Sequence, residues 1–195
     1  MSLRRSVDYK VARAGAALLA LIGIAVHAQT GIYDIDSSLA RVEYSVTKVG
    51  FLEQRGRFGE VHGSLGVDTR AKTIDIELTI DTRSIDVGGN VMNAFVRAES
   101  LLDTARYPEI HFRSTHIDWK GESPTRVEGA LTMHGVTKPV ALELESFRCE
   151  GEGGATCRAT ATGTLLRSQF GVGAFAPVVS DEVTLHFELV AQRRA

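Results

Sequence analysis

The chain has 195 residues, 44% of them hydrophobic and 24% charged, with 22 basic residues against 24 acidic ones. That composition fits one globular domain large enough to bury a real core, and it excludes a disordered or fibrous chain. The absence of a basic excess argues against a nucleic-acid partner.

Arg4, Arg5, Lys10 and Arg13 open the sequence, an uncharged apolar run from Ala14 to Val26 follows, and Val26-His27-Ala28 supplies small or modest residues. Basic, then apolar, then small is the secretory pattern. The 13-residue apolar run is too short for a spanning helix, which needs about 20 residues. Residues 1–28 are therefore expected to be a signal peptide cleaved after Ala28, leaving 29–195 as one domain in the periplasm. Removing four basic residues and one acid leaves 18 against 23, a net charge of −5.

Period-two alternation dominates the rest. Val42, Tyr44 and Val46 alternate with Arg41, Glu43 and Ser45, and Ile74, Ile76, Leu78 and Ile80 alternate with Asp75, Glu77, Thr79 and Asp81. One helix is expected, with Val91, Phe95, Ala98 and Leu102 on one face and Asn90 as its cap. Val127, Gly129, Leu131 and Met133 form the next strand, and His134-Gly135 centres a tight hairpin before Val140, Leu142 and Leu144. Cys149 and Cys157 flank a glycine-rich, acidic segment, so a disulfide across a hairpin tip is predicted in an oxidising compartment. Ala159, Ala161 and Gly163 put small residues on one face of the following strand. They either leave room in an enclosed lumen or press against the helix. Val183, Leu185, Phe187 and Leu189 close the series. Strands that are half wet indicate antiparallel sheet, so the chain reads as all-β with one short inserted helix, a barrel or a sandwich.

Motifs for catalysis or metal binding are missing. No HExxH or His-x-His pair occurs, and the odd spacing of His111 and His116 puts them on opposite faces of a regular strand. His62-Gly63-Ser64-Leu65-Gly66 lacks the first glycine of a hydrolase elbow. Neither a metal nor a cofactor is expected, and the chain does not read as an enzyme.

Leu131-Thr132-Met133-His134-Gly135-Val136-Thr137-Lys138-Pro139-Val140 closely resembles the most characteristic segment of the YceI-like family. Thr82-Arg83-Ser84-Ile85-Asp86, Leu102-Asp103 and Tyr107-Pro108-Glu109-Ile110-His111-Phe112-Arg113-Ser114 resemble its middle region. Arg167-Ser168-Gln169-Phe170-Gly171-Val172 and Val179-Ser180-Asp181-Glu182-Val183 resemble its C-terminal signature, and Tyr33-Asp34-Ile35-Asp36 and Gly56-Arg57-Phe58 fit its opening. The resemblance implies a secreted, lipocalin-like antiparallel β-barrel whose hydrophobic lumen holds a polyisoprenoid or similar long-chain lipid, with no established catalysis. Where many members carry a His-Ser pair before the second strand and a histidine at its far end, this chain has Leu39-Ala40 and Lys48.

On that reading the lumen is lined by Tyr44, Val46, Ile76, Leu78, Phe112, Leu131, Met133, Leu142, Leu185 and Phe187. Phe58, Phe95, Phe170 and Phe175 would gate its mouth, and Lys48 and Arg97 would meet an anionic head group. The alternative for each apolar residue is ordinary barrel core. Other readings stay open: a packed barrel acting as a stress or interaction protein, partnering a b561-type membrane cytochrome, a homodimer, or a lipid-modifying enzyme using His111 or His186 as base.

Overall fold

A computed structural model describes residues 30–195; the expected signal peptide and its cleavage site lie outside the described residues. The strands are β1 (Thr30–Ile35), β2 (Arg41–Lys48), β3 (Leu52–Phe58), β4 (Val61–Asp68), β5 (Thr73–Asp81), β6 (Ile85–Asp86), β7 (Glu109–Lys120), β8 (Ser123–Met133), β9 (Val136–Glu150), β10 (Thr156–Leu166) and β11 (Glu182–Arg193). One helix, α1 (Asn90–Arg97), lies between β6 and β7.

Pairing shows that several short strands are segments of longer ones. β11 meets β1 at Ile35↔Ala191 and β2 at Arg41↔Glu188, so β1 and β2 run end to end along the same edge. β3 pairs with β2 while β4 pairs with β1, and β6 pairs with β3 while β5 pairs with β4. Three interrupted strands and β7 to β11 thus make eight staves, all antiparallel, closed where β11 returns to β1 and β2. An eight-stranded barrel is just wide enough to be filled by side chains or to hold one small ligand. The fold is the lipocalin-like barrel with one helix that the family resemblance implies, and it resolves the choice between barrel and sandwich that alternation left open.

Alternation supplies the interior. Ile74, Leu78 and Ile80 of β5 are buried, as are Val42 of β2, Val127 and Leu131 of β8 and Phe187 of β11. His134 (φ 52°) and Gly135 (φ 74°) form the two-residue turn between β8 and β9, where both residues need positive φ. Cys149 and Cys157 are register partners on β9 and β10 and form a disulfide.

Three local expectations are corrected. The β7–β8 register passes from Ser114↔Gly129 to His116↔Glu128, leaving Thr115 as an extra residue. This bulge flips the side-chain parity, so His111 and His116 both stand exposed on the outer face. Gly89, not Asn90, is the N-cap of α1, and the helix turns extended at Ala98. Val91 lies 83% exposed instead of facing the core, and no residue of α1 is fully buried. Of the small residues of β10, Ala159 borders a small pocket of about 30 Å³ near the disulfide, Ala161 is buried in the main core, and Gly163 is covered by the neighbouring strand. Leu142 of β9 covers that glycine, and an added Cβ would lie 2.6 Å from its Cδ2.

The two barrel ends differ. At one end, Tyr33, Leu65, Val67, Ile74, Cys157 and Ala191 form a separate buried cluster beside the disulfide. At the other, the β2–β3 hairpin, α1, the β8–β9 turn and the segment between β10 and β11 surround an opening.

Candidate functional site

A cavity of about 400 Å³ occupies the half of the barrel behind that opening. Inward alternation positions most of its wall. β2 contributes Val42, Tyr44, Val46 and Lys48; β3 contributes Gln54 and Phe58; β8 contributes Leu131 and Met133; β11 contributes Val183, Leu185 and Phe187. Met92, Phe95 and Val96 reach it from α1, and Val172, Phe175 and Val178 from the 167–181 segment.

Four polar side chains line this apolar space. Lys48, at the end of β2, donates from Nζ to Gln54 Oε1 at 3.1 Å, and Gln54 Nε2 donates to the Arg55 carbonyl at 2.8 Å. Tyr44 lies across Gly56, where an added Cβ would come within 2.6 Å of the ring and hydroxyl, so only glycine permits this approach. Burial pushes the Tyr44 phenol up to about 12, which keeps it a neutral donor at any physiological pH.

Arg167 is the fourth, and it is 6% exposed. Its Nε donates to the Ser180 carbonyl (2.8 Å), Nη1 to Val172 and Ala174 (2.6 Å each), and Nη2 to Val179 (2.9 Å). One guanidinium therefore gathers four carbonyls of the segment that borders the mouth. Asp181 accepts from the Ser168 amide and hydroxyl at 2.8 and 2.6 Å, and these bonds, with the nearby Arg167 charge, hold its carboxyl below the usual range. Across the opening, Asp86 accepts from the Gly88 amide and the Asn93 side chain, fixing the start of α1. Those bonds, together with Arg57, lower the Asp86 pKa. Phe95 and Phe175 meet between the two elements with ring centroids 5.2 Å apart.

Of the residues expected in the lumen or at its mouth, Tyr44, Val46, Phe58, Phe95, Leu131, Met133, Phe175, Leu185 and Phe187 line this cavity. Leu78, Phe112, Leu142 and Phe170 are buried in the main core outside its wall, and Ile76 borders a second pocket of about 30 Å³ near the disulfide. Phe170 is fully buried in a short turn instead of standing at the mouth, and Phe58 ends a strand instead of lying in a loop. Lys48 lines the cavity, whereas Arg97 donates to the Ile85 carbonyl at 2.9 Å and ties α1 to β6. Sequence reasoning missed Gln54 and Arg167. Arg167 belongs to a phrase that resembles the family, but an arginine read in isolation gives no sign that backbone carbonyls will surround it. His111 stands beside Glu109 (3.1 Å) and His186 beside Glu188 (3.5 Å), neither of them on the cavity wall.

The YceI-like domain model matches residues 33–191. The chain belongs to the YceI-like family. A UPF0312 protein of Shewanella denitrificans is 33% identical over 71% of each chain, and one of Shewanella sp. strain W3-18-1 is 28% identical over 89% of this chain and 93% of its own. Among solved structures, Burkholderia cenocepacia BcnA superposes with a TM-score of 0.73 at 27% identity, covering 81% of this chain and 99% of BcnA. A polyisoprenoid binding domain from Saccharophagus degradans gives a TM-score of 0.62 at 18% identity, covering 85% and 100%. This YceI-like barrel therefore shares its fold with proteins well diverged from it.

Proposed function

We propose that this YceI-like protein is an exported binding protein that holds a polyisoprenoid or similar long-chain amphiphile in its barrel, and that it is not an enzyme. The observation that carries this reading is the cavity: about 400 Å³ of apolar space kept open by inward-facing strand residues. The polyisoprenoid binding named for the Saccharophagus relative supports it.

Scale fits the proposal. At roughly 30 Å³ per carbon-sized group, taking the volume share of liquid water as a guide, the cavity takes about a dozen such groups. Each buried CH₂ stabilises by about 0.8 kcal/mol, so the gross gain approaches 10 kcal/mol before ordering costs. The cavity accommodates one end of a long chain, or all of a shorter one, with the head group toward Lys48. Export through cleavage after Ala28 places the carrier in the periplasm, where the disulfide is stable.

Leu131→Trp tests the reading because Leu131 is 6% exposed and lines the cavity. The ring is expected to displace cargo, lowering lipid extracted per mole while the delipidated protein melts near the wild-type temperature. A packed core would instead respond with strain costing about 1–3 kcal/mol. Unchanged lipid with a clear fall in melting temperature would overturn the proposal.

A further inference from the structure

The rim of the opening has a character of its own. Eleven large apolar side chains stand exposed among the described residues, and eight of them lie here: Val49, Phe51 and Leu52 on the β2–β3 hairpin, Val91, Met92 and Phe95 on α1, and Phe175 and Val178 on the 171–180 segment. Phe51 is 79% and Val91 83% exposed, far beyond the scattered apolar exposure of an ordinary surface. The three elements are joined. Val49 donates its amide to the Val178 carbonyl at 2.7 Å, the Ser180 amide donates to the Thr47 carbonyl at 2.8 Å, and the Phe95 and Phe175 rings touch.

Few charged residues fall on these three stretches. Residues 48–52, 88–98 and 171–180 carry Lys48 and Arg97 but no acid, although acids outnumber bases in the whole chain by 24 to 22. The acids that flank these stretches are bonded in part: Glu53 pairs with Arg55 at 3.1 Å, Asp86 with Arg57 at 3.0 Å, and Asp181 accepts from the Ser168 hydroxyl at 2.6 Å, while Glu99 follows Ala98.

We infer that this rim docks on a phospholipid bilayer, with the barrel mouth facing the membrane and Phe51 and Val91 inserted among the lipids. Apolar protrusions grouped around one opening, with Lys48 at its edge, are the chemistry of interfacial insertion into a bilayer. Separate projections around an opening can all enter a fluid bilayer together, whereas a second copy would have to supply a matching relief. The apolar surface is also continuous inward: Met92, Phe95, Phe175 and Val178 are exposed and line the cavity as well. Docking in this pose gives a chain an apolar route between bilayer and barrel. The described chain begins at Thr30, at the opposite end of the barrel from this rim. The inference goes beyond cargo binding and stands on the rim itself.

Flotation of the exported protein with vesicles of phosphatidylethanolamine and phosphatidylglycerol tests it. Wild type is expected to float with the vesicles. Phe51→Asp/Val91→Asp, at two residues outside the cavity wall, is expected to lose bound fraction at least tenfold while keeping its melting temperature and its lipid content. Phe51→Ser is the milder companion, with an intermediate loss. Ile32→Asp, at a residue 54% exposed near the other end, is expected to float like wild type. Wild type that stays in solution, a double variant that binds as well as wild type, or an equal loss in Ile32→Asp would each overturn the inference. Dimers that dissociate in the double variant without any vesicle binding would assign the rim to a second copy and overturn it too. Cargo content is measured separately, so failure here leaves the carrier reading standing.

Discussion

Replacing Arg167 by Met should loosen the 167–181 segment without disturbing the barrel wall. Met keeps an unbranched apolar stem but removes the donors that serve the carbonyls of Val172, Ala174, Val179 and Ser180. Hydrogen bonds to a charged donor contribute about 1.5–3 kcal/mol each, but desolvating the buried guanidinium offsets much of their sum. The freed carbonyls of Ala174, Val179 and Ser180 are part-buried and can recover water, whereas that of Val172 is buried, so the expected net loss is roughly 3 kcal/mol. For a domain of this size about 2–4 °C is lost per kcal/mol, giving a fall in Tm of roughly 6–12 °C. Arg167→Lys should recover little, because one ammonium cannot reproduce a planar fork reaching four acceptors. Thermal unfolding measures the loss, and hydrogen exchange locates it: amides of residues 171–180 should exchange faster while those of β8 and β9 keep their protection. An unchanged Tm together with unchanged exchange in 171–180 would refute the assignment of Arg167 as the clasp of this segment.

Substituting both Cys149 and Cys157 with Ser should destabilise the protein by roughly 2–3 kcal/mol through the short loop they close, with lipid content unchanged; paired melting and extraction measurements check it. Tyr44 is neutral when buried and its folded pKa of about 12 exceeds the ordinary value, so its contribution to stability is complete below about pH 10 and is lost as pH rises toward 12. Tyr44→Phe should flatten that alkaline loss in denaturant titrations at pH 9 to 12, and an unchanged pH profile would refute the burial argument. Intact-mass measurement of protein recovered from the periplasm should give a chain starting at Gln29, while a retained Met1 to Ala28 would identify the apolar run as an anchor.

Strand faces were readable wherever alternation was unbroken. Ile74, Ile76, Leu78 and Ile80 mark the inner side of β5, and Tyr44 and Val46 point into the cavity from β2. Alternation failed at Thr115, because a bulge adds one residue without any compositional mark and carries His116 to the outer face. It was also silent on how β1 and β2, β3 and β4, and β5 and β6 join end to end, since that continuity exists only in their shared neighbours. Depth within the barrel is likewise absent from a period-two pattern. Leu78 and Ile80 share a face of one strand, yet only Ile80 reaches the cavity wall. The helix stripe misled for a related reason: α1 ends before Ala98, so helical spacing no longer relates Val91 to Leu102. Arg167 was hidden because its partners are backbone carbonyls, which leave no trace in residue type.

Native mass spectrometry of protein purified from the periplasm without detergent or organic solvent tests most directly whether the cavity carries a lipid chain. The expected spectrum shows a noncovalent adduct that is released on activation and extracts as a long-chain amphiphile. An apo mass alone, combined with no retention of added polyisoprenoid or long-chain lipid, would contradict the account.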